Sequence, residues 1–214
     1  MLTANLNSFD NVVEPAIQKL PDGIEMVYHC YDDLNFPPIT GLTPRLQYRI
    51  PKTCGWQMKP GYDYYVWLDG SLSLTQEDSL EWLIDQLGDN NIAFFKHPWR
   101  KNIREEVEHI EDHLARGQPY ITARYKNGLH REFLNRLEVE KYPDNVLYGS
   151  TAFIYRNTPK VQSALEDWWA LQSRYFTCDQ IQLPYVLWKH GLSVSVLDER
   201  LFKSDHVGLV SEHK

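Results

Sequence analysis

Hydrophobic and polar positions change period several times along this chain, and each change marks a different kind of element. Residues 63–69, Asp-Tyr-Tyr-Val-Trp-Leu-Asp, form an apolar run of aromatic and β-branched side chains closed by an acid. That is the pattern of a buried strand. Residues 2–6, 24–31, 92–95, 145–155 and 193–197 read as strands on the same grounds. Helical spacing separates them. Leu80, Leu83, Ile84 and Leu87 share one helical face, with Thr75 and Asp78 spaced to cap its start and Gly88 to end it. Ile103, Val107, Ile110 and Leu114 give a second helix, and Leu129, Phe133, Leu134 and Leu137 a third. Thr158-Pro159 opens a fourth, carrying Val161, Leu165, Trp168 and Trp169. A fifth follows Asp179-Gln180 up to Trp188 and is closed by Gly191. Residues 12–20 read as a short helix, residues 34–44 as a proline-rich loop, and residues 198–214 as a polar, weakly patterned tail. Pro51 argues against one continuous helix over residues 45–58. Strands and helices that alternate in this way predict an α/β fold, a mixed sheet with helices on both faces.

Composition narrows the function classes. The 214 residues suit a single domain, and a hydrophobic share of 43% supports a sizeable core. The net charge is −7, with 22 basic against 29 acidic residues and no basic cluster, so a nucleic-acid partner is not expected. Three cysteines without a CxxC pair argue against a disulfide framework or a structural zinc site and fit a reducing, cytoplasmic compartment. Residues 1–7 lack the features of a signal peptide, and no window has the ~20 apolar residues of a membrane helix. Oligomeric state is not set by these features.

The candidate chemistry lies at strand ends. Asp32, Asp33 and Asp69 close apolar runs, where α/β folds bind ligands outside the carboxyl ends of their strands. Gly70 gives the backbone room to turn and a ligand room to approach. His97 and Asp179 are expected at the same sheet edge. Arg45, Lys52 and Arg100 are available cations for phosphate oxygens. Glu105 and Glu106 read as a solvated helix face, with an active-site acid and its neighbour as the alternative; at least one of Trp168 and Trp169 reads as core, and the other could stack on an acceptor sugar. Asp179 also stands where a residue could cap the helix that follows it.

Several stretches, in order, resemble a glycosyltransferase of the GT-A type: Leu2-Thr3-Ala4-Asn5, Asp32-Asp33, Arg45 with Lys52, and Trp67-Leu68-Asp69-Gly70. The pattern is most similar to a hexosyltransferase family long described only as a domain of unknown function, with plant cell-wall enzymes and bacterial and phage relatives. His97-Pro98 with Arg100, Glu105-Glu106, Trp168-Trp169 and the run from Asp179-Gln180 to Gly191 extend the resemblance over residues 2–197.

The resemblance implies a GT-A fold, a nucleotide-sugar donor such as a UDP-sugar, a glycan acceptor and a divalent metal, Mn²⁺ or Mg²⁺. It assigns residues 1–100 to the nucleotide-sugar half, residues 101–200 to the acceptor half and residues 201–214 to a tail. It puts Ala4, Asp32, Asp33, Arg45, Lys52, His97 and Arg100 at the donor, Asp179 and Gln180 at the reacting sugar, and Asp69 on the metal. The chain departs from the GT-A pattern at Ser71, where a second acid is usual, and His206 is the candidate second ligand. Two other readings stand beside this one: a glycoside hydrolase using Asp69 and Asp179, and a non-catalytic sugar- or nucleotide-sugar-binding module.

Overall fold

The computed structural model describes residues 1–210. In chain order the elements are β1 (Leu2–Asn5), β2 (His29–Asp32), α1 (Pro44–Gln47), α2 (Arg49–Met58), β3 (Tyr64–Leu68), β4 (Leu72–Leu74), α3 (Ser79–Leu87) and β5 (Ile92–Lys96). They continue with α4 (Ile103–Ala115), α5 (Pro119–Tyr125), α6 (Leu129–Val139), β6 (Tyr148–Arg156), α7 (Pro159–Tyr175), α8 (Asp179–Lys189), β7 (Val194–Val196) and β8 (Val207–Leu209). Among the described residues six strands form one sheet in the order β2-β1-β3-β6-β5-β7, and β4 pairs with β8 in a two-stranded sheet.

The sheet is mixed, and only one of its strands is reversed. β1 is parallel to β2 and β3, β6 is antiparallel to both β3 and β5, and β7 is parallel to β5. The carboxyl ends of β1, β2, β3 and β5 therefore share one edge, which they share with the start of β6. Alternation along β3 splits the core into two layers. Tyr65 and Trp67 face a cluster that includes Ala164, Leu165 and Trp168 of α7 and Ile181 and Tyr185 of α8. Val66 and Leu68 face the other side, against Leu80, Leu83 and Leu87 of α3 and Val207 of β8. This is the expected α/β sheet with helices on both faces.

Three expectations need correction. Residues 12–20 form no helix. Pro15 interrupts them, and the stretch instead lies along α3's approach, with Ala16 N donating to Leu74 O at 2.9 Å and Lys19 N to Glu77 O at 2.6 Å. The second strand is shorter than residues 24–31, because its register begins at Leu2↔His29 and the residues ahead of His29 run past the start of β1. Thr75 does not cap α3; its hydroxyl bonds Asp205 O at 2.5 Å, and Asp78 flanks the helix without a capping bond. Residues 45–58 are not one continuous helix, as expected, but the division falls at Tyr48 between α1 and α2; Pro51 is the third residue of α2, where an N–H would have no helical partner.

Candidate functional site

Three chain segments converge at the carboxyl edge of the sheet. β3 delivers Asp69, whose N–H is fixed by Thr151 O of β6 at 2.7 Å. α2 delivers Lys52 from the core side, and the first turn of α8 delivers Asp179. Lys52 Nζ lies 2.7 Å from Asp179 Oδ2 and 3.3 Å from Asp69 Oδ1. The lysine side chain is only 1% exposed, against 22% for Asp69 and 11% for Asp179. Its ammonium is thus held from below while the carboxylates face outward. The rings of Tyr48, Trp67 and Trp168 stand 5.7, 5.9 and 5.9 Å from Nζ and complete its enclosure.

Further bonds orient the two acids. Trp67 Nε1 donates to Asp69 Oδ1 at 2.7 Å, which strand periodicity permits because residues two apart share a face. Trp168 Nε1 donates to Asp179 O at 3.1 Å. Arg49 Nη2 and Arg45 Nη2 both donate to Thr177 O, at 2.6 and 3.0 Å, and so clamp the turn that leads into Asp179. Asp179 does not cap α8; Cys178 holds the cap position, and the Asp179 side chain goes to the lysine.

The charges follow from burial and pairing. Burial alone would strip the Lys52 proton, but Asp179 and then Asp69 outweigh it and hold the ammonium well above its ordinary range. Burial likewise works against the Asp179 carboxylate, yet Lys52 and Arg49 pull it far below the ordinary carboxylate range. Asp69 moves the other way, raised by burial against the partial pull of Lys52. Of the two acids, Asp179 stays charged and Asp69 is the better proton acceptor.

A second cluster sits beside the first. His97 follows β5, and its Nδ1 accepts the N–H of Arg100 at 3.0 Å and of Trp99 at 3.4 Å. Burial, with Arg100 and His109, lowers its pKa from 6.5 to about 4, so the imidazole is neutral. Arg100 Nε pairs with Glu106, and Cys178 Sγ lies 3.9 Å from Glu106 Oε1. Glu106 is thereby buried rather than on a solvated face; only its neighbour Glu105 stays at the helix start, accepting from Lys101 N at 2.7 Å. Burial, Glu106 and Asp179 push the Cys178 thiol up to about 12. Cys178 Sγ also lies 3.5 Å from Gln180 Oε1, which brings Gln180 to the same corner.

The remaining expected residues have other company. Asp32 Oδ1 accepts from Leu34 N and Asn35 N at 2.9 and 3.0 Å, closing its own turn, and Asp33 Oδ2 accepts from Asn7 N at 2.9 Å. Ala4 is buried at the end of β1, and its carbonyl explains Gly70. A Cβ on Gly70 would stand 2.9 Å from Asp10 Oδ2 and 3.0 Å from Ala4 O, so that glycine is required by close packing. Arg45 gives its other donor to Arg124 O at 3.2 Å and lies between the rings of Tyr125 and Phe176. His206 sits at the far end of β4 from Asp69, where its carbonyl accepts from Thr75 N. Its ring bonds Glu199 at 2.8 Å, stacks on Trp82 at 4.5 Å and has Asp78 at 3.7 Å. The structure joins Lys52, Asp69, Asp179, Gln180, His97 and Arg100 into one corner; His206 is not part of it.

This donor set does not fit a divalent metal. Among the described residues no group of three or more His, Cys, Asp or Glu side chains is placed to hold one. Lys52 already lies on the carboxylate that would start such a centre. A metal on Asp69 would stand roughly 5–6 Å from the ammonium, and the repulsion at an effective dielectric of about 20 is on the order of 6 kcal/mol.

Neither a protein-family model nor a curated protein matches the chain. Among solved structures, the apo form of mouse xyloside xylosyltransferase 1 is similar, with 14% identity and a TM-score of 0.42 over 80% of this chain. The chain spans 62% of that protein's chain. Among the described residues no helix is long and apolar enough to cross a membrane.

Proposed function

We propose that this chain is a GT-A type glycosyltransferase that moves a hexosyl unit from a nucleotide-diphosphate sugar, of which a UDP-sugar is the first candidate, to a hydroxyl of a glycan acceptor. The observation that carries this reading is the joining of Asp69 and Asp179 through Lys52 at the shared carboxyl edge of β1, β2, β3 and β5. That edge is where α/β sheets take nucleotides. The ordered resemblance of residues 2–197 to GT-A hexosyltransferases supports the same reading.

In this reaction the acceptor hydroxyl attacks the anomeric carbon and the bond from that carbon to the diphosphate oxygen breaks. The leaving diphosphate keeps the electron pair, and the hydroxyl proton passes to a base. Asp179, held ionised by Lys52 and Arg49, is suited to stabilise positive charge developing at the sugar and to orient it. Asp69, with its raised pKa, is the better candidate to take a proton. His97 is neutral and offers hydrogen bonding rather than charge.

The two-carboxylate hydrolase reading is weaker. Its acids must flank a glycosidic bond, whereas the space between Asp69 and Asp179 holds the Lys52 ammonium. Calorimetric titration of the full chain with a panel of UDP- and GDP-sugars tests the proposal. Binding of at least one donor supports it; no nucleotide binding at millimolar concentration overturns it. Binding without turnover would instead favour the non-catalytic module.

A further inference from the structure

Lys52 is the least exposed member of its triad and, among the described residues, the only cation paired with both acids. Its position is over-determined. The ammonium is enclosed by Tyr48, Trp67 and Trp168, and α2 is seated closely on β1, where a Cβ on Gly55 would stand 2.2 Å from Leu2 Cδ1. Asp69 Oδ1 is shared between this ammonium and the Trp67 indole N–H. Ser71 adds no charge two residues on; it is buried, and its carbonyl accepts Val210 N at 2.9 Å.

We infer that Lys52 is the built-in cation of this site. Its ammonium occupies the place between Asp69 and Asp179 that a divalent metal would take on two bare carboxylates, so the chain neither needs nor binds a divalent metal there. Removal of the lysine opens a metal site that the native chain keeps shut. What this means for donor binding rests on the glycosyl-transfer reading above; the competition between lysine and metal for the two acids does not.

The chemistry favours the lysine on three counts. An ammonium on a four-carbon stem reaches the acids from the core, so its desolvation is met by aromatic faces and two carboxylates together. A divalent ion would have to arrive from solvent and shed water against a fixed positive charge. Arg49 lies one turn before Lys52 on α2 and adds further positive charge beside Asp179.

The test uses Mn²⁺ alone, followed through the electron paramagnetic resonance signal of the free ion. The native chain is expected to leave millimolar Mn²⁺ free, while Lys52→Ala binds one ion at least tenfold more tightly and Lys52→Ala/Asp69→Asn loses it again. Native binding that Asp69→Asn abolishes, or a folded Lys52→Ala that gains no ion, overturns the inference. Should Lys52→Ala not fold, UDP titration of the native chain decides. Equal affinity in EDTA and in Mn²⁺ supports the inference, and a tenfold tightening by Mn²⁺ overturns it. Absence of UDP binding under both conditions counts against glycosyl transfer and leaves the native Mn²⁺ titration, with and without Asp69→Asn, to decide the metal question.

Discussion

Lys52 Nζ and Asp179 Oδ2 meet at 2.7 Å across 127 positions of sequence, tying α2 to the first turn of α8. The contact is buried, so its loss strands charge in the protein interior. Lys52→Met leaves two carboxylates without their cation and is expected to cost roughly 3–5 kcal/mol. For a chain of this size that lowers the melting temperature by roughly 10 °C. Asp179→Asn keeps Lys52 paired with Asp69 and costs less. Thermal unfolding of both variants at pH 7 checks the order; equal stability of native chain and Lys52→Met would contradict it.

Arg49 acts on Asp179 through its charge and also through the backbone. Its bond to Thr177 O, an acceptor shared with Arg45, fixes the turn that carries the acid. Arg49→Met is therefore expected to lower kcat for donor cleavage by roughly ten- to a hundredfold while leaving the donor KM within a few fold. Steady-state kinetics separate the two constants. Arg49→Lys, which retains the charge but not the geometry, should recover little of kcat. An effect confined to KM would place Arg49 on the donor instead.

His97 gives a pH dependence with a definite sign. Its pKa is lowered from 6.5 to about 4 in the folded chain. Above pH 6.5 the ring is neutral whether folded or unfolded and contributes no slope. Below it the unfolded chain takes up the proton and the folded chain does not until about pH 4, so stability falls through that window. The cost at pH 5 is about 2 kcal/mol. His97→Asn should lose less stability between pH 7 and pH 5 than the native chain by about that amount, as read by denaturant titration at the two pH values. Parallel losses in the two proteins would contradict the burial of a neutral His97.

Gly70→Ala tests the packing of β1 against the Asp69 turn. The added methyl meets Asp10 Oδ2 and the Ala4 carbonyl at about 3 Å, and backbone cannot yield cheaply. A loss of roughly 1–3 kcal/mol is expected in urea unfolding. A neutral result would mean that the turn is free to shift.

The strands that build the site edge were readable because each is a run of apolar residues with its own boundary: β3 before Asp69, β5 before His97, β6 before Thr158-Pro159. What local pattern could not give is anything decided by a distant partner. Residues 12–20 carry enough apolar spacing to suggest a helix, yet their backbone is claimed by Leu74 and Glu77. β8 is three residues in a polar tail and exists because β4 is there to pair with it. Lys52, Asp69 and Asp179 could each be singled out from sequence, but not their meeting, since spacing along the chain does not fix it. Arg49 is not singled out by pattern, and Glu106 reads as solvated face ahead of active-site acid, because charged positions on amphipathic helices ordinarily face water. Trp67 was within reach, since strand alternation places it on the same face as Asp69.

The most direct test of the central claim is nucleotide release from a panel of UDP- and GDP-sugars by the native chain and by Asp179→Asn, with donor binding measured in parallel. Native chain should release nucleotide from at least one donor, and Asp179→Asn should bind that donor but release it at least about 100-fold more slowly. Equal release by both proteins, or no release from any donor, would contradict a glycosyl-transfer site built on Asp179.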